Sequence, residues 1–144
     1  MLLGAGRPFW PLFLHILGAM TLFGTVLTAV IVSAVGWRRP ELAFLRRATL
    51  VALGAAIPAY VVFRVAAEWI YSKEGFSGHD DPSWIAIGYI VSDAGLLLLL
   101  LTIGCSYWWL RSAKALPGRI VTSLSSVYLV MLAVAWLAMS GKWK

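Results

Sequence analysis

Apolar residues run along this chain in four long blocks, at about 9–35, 48–70, 84–110 and 120–140, and polar residues collect between them. Roughly 20 residues of helix cross the hydrocarbon of a bilayer, so each block is long enough to span one. The pattern predicts an all-α protein, a four-transmembrane-helix bundle that makes one integral membrane domain of residues 1–144.

The polarity inside each block gives it faces. In the first, Gly18, Thr21, Gly24, Thr25, Thr28, Ala29 and Ser33 recur at helical spacing. Small residues let helices approach closely in lipid, so this face is expected to meet its neighbours. Pro58 in the second block removes a helical hydrogen bond and crowds the carbonyl one turn back, which predicts a kink between Gly54 and Pro58. In the third, Leu96 to Leu101 has no polar gap and is expected to face lipid or an apolar partner on more than one side. The fourth has Ser123, Ser125, Ser126 and Tyr128 in one half and Ala133, Ala135 and Ala138 in the other. No repeat relates the first two blocks to the last two, so an inverted-repeat transporter has no support.

The connections complete the layout. Residues 36–47, with basic pairs flanking an apolar centre, read as an amphipathic segment lying along the membrane surface. In the segment 71–83, Asp81 before Pro82 reads as a helix start. His79, Asp80 and Asp81 are adjacent and cannot all converge on one ion without other ligands, so a surface turn is favoured over a metal site. Trp37, Tyr107, Trp108 and Trp109 fall at one end of the blocks, and Trp10, Trp69, Tyr71, Trp84, Trp136 and Trp143 at the other. All eight tryptophans thus stand where interfacial belts lie.

Composition agrees: 61% of the residues are hydrophobic and 12% charged, outside the range of ordinary soluble domains. The apolar run after Arg7 continues to Val35 without a small-residue cleavage site, and is read as a retained first span rather than a signal peptide. The single Cys105 excludes an internal disulfide. A net charge of +6 suggests nucleic acid until the positions are read. Arg38, Arg39, Arg46, Arg47, Arg111, Lys114 and Arg119 all lie in the first and third connections. The opposite side has Arg7, Lys73, Lys142 and Lys144 beside Glu74, Asp80 and Asp81. The positive-inside rule then makes the basic connections cytoplasmic and both termini external, N-out and C-out. The charge follows the bilayer and its anionic headgroups, and no nucleic-acid partner is expected.

Few ionisable groups remain inside the blocks, and they converge. A charge near the hydrocarbon costs roughly 2.5 kcal/mol or more, so it faces a partner, a cavity or the interface. At about 1.5 Å per residue, His15 and Arg64 lie roughly 9 Å below the outer boundary, Asp93 about 13 Å and Glu68 about 3 Å. Glu68 can reach headgroups or water. Arg64 needs a partner, and Asp93 is the natural one. The bland reading is a buried ion pair, Arg64 with Asp93, joining the second and third spans with His15 as a hydrogen-bonding helper.

The functional rival is a cofactor site built from His15, Arg64, Asp93 and Tyr60. Imidazole binds haem iron, and arginine pairs with a propionate or a quinone carbonyl. A bis-histidine haem b would want a second histidine in a span, and none is present. A proton path is a third reading, but the polar layer does not continue inward. No nucleophile–base pair, phosphate-binding loop or metal-ligand set appears, so independent catalysis is poorly supported.

His15-Ile16-Leu17-Gly18, Arg64, the run Trp69 to Gly75, and Asp81-Pro82-Ser83-Trp84-Ile85 resemble small four-span membrane proteins of high-GC Gram-positive bacteria. That resemblance covers nearly the whole chain and implies no established activity. More distantly, a histidine ahead of a small-residue face in the first span is similar to haem- and copper-associated four-helix membrane families, from which the missing second histidine is a departure.

The expectation is an accessory or structural integral membrane subunit of a larger complex, respiratory or otherwise energy-converting, in a bacterial cytoplasmic membrane. Its partners would be the lipid bilayer and other membrane protein subunits. The alternative is a small b-type haem- or quinone-binding redox protein.

Overall fold

The computed structural model describes residues 9–74 and 83–141. It has four α-helices: α1 (Phe9–Arg38), α2 (Phe44–Glu74), α3 (Ser83–Ser112) and α4 (Ala115–Gly141). Each is long and apolar enough to cross a membrane, and no strand occurs among the described residues. Helices of 30, 31, 30 and 27 residues run for about 40–46 Å, so their last turns outreach a hydrocarbon layer about 30 Å thick.

The helices exceed the apolar blocks because nothing in the flanks stops them sooner. Residues 36–47 do not form a separate surface helix. α1 runs to Arg38, and α2 starts at Phe44. Pro40 disfavours helical backbone at the residue before it, which ends α1, and the bonds Leu42 N–H to Arg39 C=O (3.0 Å) and Leu45 N–H to Leu42 C=O (3.1 Å) turn the chain into α2. The other short connection is tighter. Ala113 takes a left-handed φ of 55° and donates its N–H to Trp109 C=O at 2.9 Å, a capping geometry in which glycine is the usual residue. The residues His79, Asp80, Asp81 and Pro82 lie outside the described residues. α2 is unbroken on both sides of Pro58.

Consecutive helices are neighbours, and α4 closes back on α1, giving an up-down-up-down ring. The α2–α3 seam is the thinnest of the four. The core holds Leu22, Val26 and Ala29 from α1, Leu53, Ala56 and Tyr60 from α2, Leu99 from α3, and Val121 and Tyr128 from α4.

The expected small-residue face of α1 divides. Gly18, Ala29 and Ser33 are buried, whereas Thr21, Gly24 and Thr28 face outward. At about 100° per residue, Gly18, Leu22, Val26, Ala29 and Ser33 share one stripe, and Thr21, Gly24 and Thr28 lie well round the helix from it. The outward Thr21 and Thr28 hydroxyls donate to the carbonyls of Leu17 and Gly24, both at 2.8 Å, so lipid meets no unsatisfied donor there. Leu96 to Leu101 does turn more than one way: Leu97, Leu100 and Leu101 are exposed, and Leu99 is in the core.

Trp109 is buried, its indole lodged between Gly36 of α1 and Gly118 of α4, where a Cβ would come within 2.7 Å and 2.8 Å of the ring. Trp37 is flanked by the guanidinium groups of Arg38 (5.0 Å) and Arg119 (4.8 Å), which ties the end of α1 to the start of α4.

Candidate functional site

The ionisable groups gather at the upper end of the bundle, where α1 and α3 begin and α2 and α4 finish. Their positions follow from a close helix contact. A Cβ on Gly18 would lie 2.7 Å from the Phe63 backbone nitrogen and 2.9 Å from its Cα, so α1 and α2 touch backbone to backbone. One turn above, this contact sets His15 against Phe63. Its Nδ1–H donates to the Phe63 carbonyl at 3.3 Å, and the two rings stack with centroids 4.7 Å apart. That bond fixes the tautomer, leaving Nε2 as the acceptor.

Arg64, the next residue along α2, turns towards α3. Its Nη2 lies 3.3 Å from Asp93 Oδ1 and 3.3 Å from Glu68 Oε1, and the guanidinium stands 4.6 Å over the ring of Tyr89. Arg64 is ten residues from the end of α2 and Asp93 ten from the start of α3, so both sit about 15 Å below the tips of their helices. Tyr89 in turn meets Tyr71 edge to face at 5.8 Å. One turn below Arg64, the buried Tyr60 hydroxyl donates to the Ser92 carbonyl at 3.1 Å and lies 3.1 Å from its hydroxyl, a second polar link across the thin α2–α3 seam.

The pair of Arg64 and Asp93 is not buried. The side chain of Asp93 is 68% exposed, that of Glu68 51% and that of Arg64 27%. Ser92 takes the inward direction on α3, which turns Asp93 outward, and the long Arg64 side chain reaches it from the edge of the bundle. One guanidinium thus serves two carboxylates. With all three ionised, one formal negative charge is unbalanced on the side of the bundle.

Above the His15–Phe63 stack is a cavity of about 100 Å³. His15, Arg64, Ser92, Tyr71 and Tyr89 are its polar-bearing lining residues, and Ile70, Ile85 and Met139 are among its apolar walls. A closed cavity of about 150 Å³ takes one benzene ring, so the space within this open-sided cavity matches a single ring or a chain end, and a porphyrin would lie largely outside it or part the helices. The Nδ1 bond leaves His15 Nε2 as the acceptor nitrogen, but a bis-histidine haem b needs a second imidazole and the apolar blocks supply none besides His15. No group of three His, Cys, Asp or Glu residues capable of holding a metal ion occurs among the described residues.

Of the residues read from the sequence, His15 and Arg64 share the cavity, Asp93 joins Arg64 from outside it, and Tyr60 lies below, bonded within the core. Glu68, expected to reach the headgroups, is Arg64's second partner. Its spacing of four from Arg64 is the signal that finds it. Phe63 carries no polar signal in the sequence, since it accepts from His15 through its backbone carbonyl, and Ser92 meets Tyr60 through both its carbonyl and its hydroxyl. Comparison with protein-family models, curated proteins and solved structures finds no match to the chain.

Proposed function

We propose that the chain is an accessory subunit of a larger integral membrane complex in a bacterial cytoplasmic membrane, with a respiratory or other energy-converting complex the class to search first. The observation that carries this reading is Asp93, a carboxylate 68% exposed within a membrane-spanning helix. Facing hydrocarbon alone, such a group is costly by roughly 2.5 kcal/mol or more, and Arg64 is shared with Glu68. A neighbouring subunit covers the site and removes that cost. The basic residues at the lower end, Arg38, Arg39, Arg46, Arg47, Arg111, Lys114 and Arg119, support an orientation with that end in the cytoplasm and both chain ends outside.

The test is native-gel migration of the tagged protein after mild detergent extraction from its own membranes. A larger species with a stoichiometric membrane partner is expected, and a lone small species overturns the reading. The redox alternative survives better as a quinone site than as a haem site, because the cavity beside His15 and Arg64 has the scale of one ring. Oxidised and dithionite-reduced absorption spectra are expected to lack a Soret band. A stoichiometric band that disappears in His15→Ala would restore the haem reading.

A further inference from the structure

The outward side of α3 presents one continuous stripe. From Ile90 through Asp93, Leu97, Leu100 and Gly104 to Tyr107, exposed positions recur at alternating steps of three and four. Exposed Ala86 and Arg111 extend the series by one step at each end. This is the spacing with which one helix receives another in knobs-into-holes packing. Nothing lies within 4 Å of a Cβ built on Gly104, so the seam also has a gap of the kind membrane helices use for close approach.

The second observation is charge. Asp93 stands in this seam, and the Glu68–Arg64–Asp93 cluster has one negative charge more than its guanidinium balances. The guanidinium is itself held over Tyr89 and between the two carboxylates, so it is not free to turn to an outside anion.

We propose that the α3 seam is the docking surface for a transmembrane helix of a different protein, one that carries a lysine or arginine at the level of Asp93. This rests on the subunit reading above and names the surface and the partner's chemistry. A second copy of this chain is the weaker occupant. A two-fold pairing of α3 with α3 in the same membrane orientation would set Asp93 against Asp93, with a Glu68 beside each, and like charges in a low dielectric repel. A basic side chain completes the cluster, giving each carboxylate a cation. Asp93 lies about 15 Å below the tip of α3, within the span and not at its end, where a side chain of a neighbouring helix stands level with it.

The probe is a synthetic transmembrane peptide of Leu and Ala with one Lys in the outer third of its apolar stretch, compared with peptides bearing Leu or Glu in its place. Energy transfer from the dye-labelled full chain to each labelled peptide is measured in phosphatidylcholine vesicles. The Lys peptide is expected to bind about fivefold to thirtyfold tighter than the Leu peptide, the range of one interhelical polar contact in lipid, and the Glu peptide weaker than either. Asp93→Asn is expected to abolish the preference. Gly104→Leu, whose Cβ meets no neighbour in the isolated chain, is expected to weaken all three peptides without lowering the melting temperature.

Equal binding of the Lys and Leu peptides overturns the proposal, as does a preference that survives Asp93→Asn. Transfer between two labelled copies of the chain at lower density than to the Lys peptide also overturns it, by assigning the seam to a homodimer. The two readings fail separately. Lys-peptide binding through Asp93 by a protein that migrates alone from native membranes removes the subunit reading and keeps the seam. A large native species unaffected by Asp93→Asn and Gly104→Leu does the reverse.

Discussion

At the scale of single residues, the cluster at Arg64 makes an asymmetric prediction. Removing Asp93 leaves Arg64 paired with Glu68, whereas removing Arg64 strands two carboxylates whose ion pairs among the described residues both run to it. Arg64→Leu is therefore expected to lower the melting temperature in detergent more than Asp93→Leu. Adding Asp93→Leu to Arg64→Leu should recover part of the loss, because it removes one stranded charge. A double-mutant cycle reads this directly, with a coupling of about 0.5–3 kcal/mol; strictly additive losses would show that the 3.3 Å contact carries no energy. Arg64 and Asp93 were legible as a pair in the sequence because both are conspicuous in an apolar background and stand at matching depth. Their exposure was not legible, since depth along a helix says nothing of the direction in which a side chain leaves it.

At the scale of elements, Gly18 and Gly24 of α1 are indistinguishable as letters in one small-residue run, yet their surroundings are opposite. A Cβ at Gly18 meets the Phe63 backbone, which can give way only by moving α1 from α2, and a Cβ at Gly24 meets nothing within 4 Å. Gly18→Ala is expected to destabilise the bundle by about 1–3 kcal/mol. Gly24→Ala should be neutral or stabilising by up to about 1 kcal/mol, because alanine is the better helix former. Denaturation of both variants in mixed micelles by circular dichroism checks the contrast, and equal effects would contradict the helix contact. Since the Gly18 contact also sets His15 on Phe63, the first variant is the one expected to disturb the cavity. Trp109 teaches the same lesson at the lower end. Its place near a span end suggests a belt residue, but Gly36 and Gly118 open a slot between α1 and α4 that receives the indole.

At the scale of the whole molecule, charge and architecture act together. The two short connections at the lower end and the helix turns that flank them carry the seven basic residues named above, and the ring of helices brings both connections to one side. A cysteine placed at Ser112, in a Cys105→Ser background, is expected to resist a membrane-impermeant maleimide in intact cells and to react once the membrane is permeabilised. Labelling in intact cells would invert the orientation. The ring also explains where the site lies. Its thin α2–α3 seam is crossed by Tyr60 to Ser92 in the core and by Arg64 to Asp93 at the edge, so the polar residues close the side where apolar packing is sparsest.

The sequence by itself determined the number of helices, their approximate ends, the segregation of basic residues and the place of each ionisable group along its helix. These follow from hydropathy along the chain, because a backbone in hydrocarbon must satisfy its own hydrogen bonds and forms helices wherever an apolar run is long enough. The tertiary structure alone decided which side of each helix turns inward. In water an apolar stripe marks the buried face, but lipid is as apolar as a protein core, so both faces of these helices read alike. Rotation is settled instead by close fits, Gly18 on Phe63 and Trp109 between two glycines, and those fits leave Asp93 on the outside.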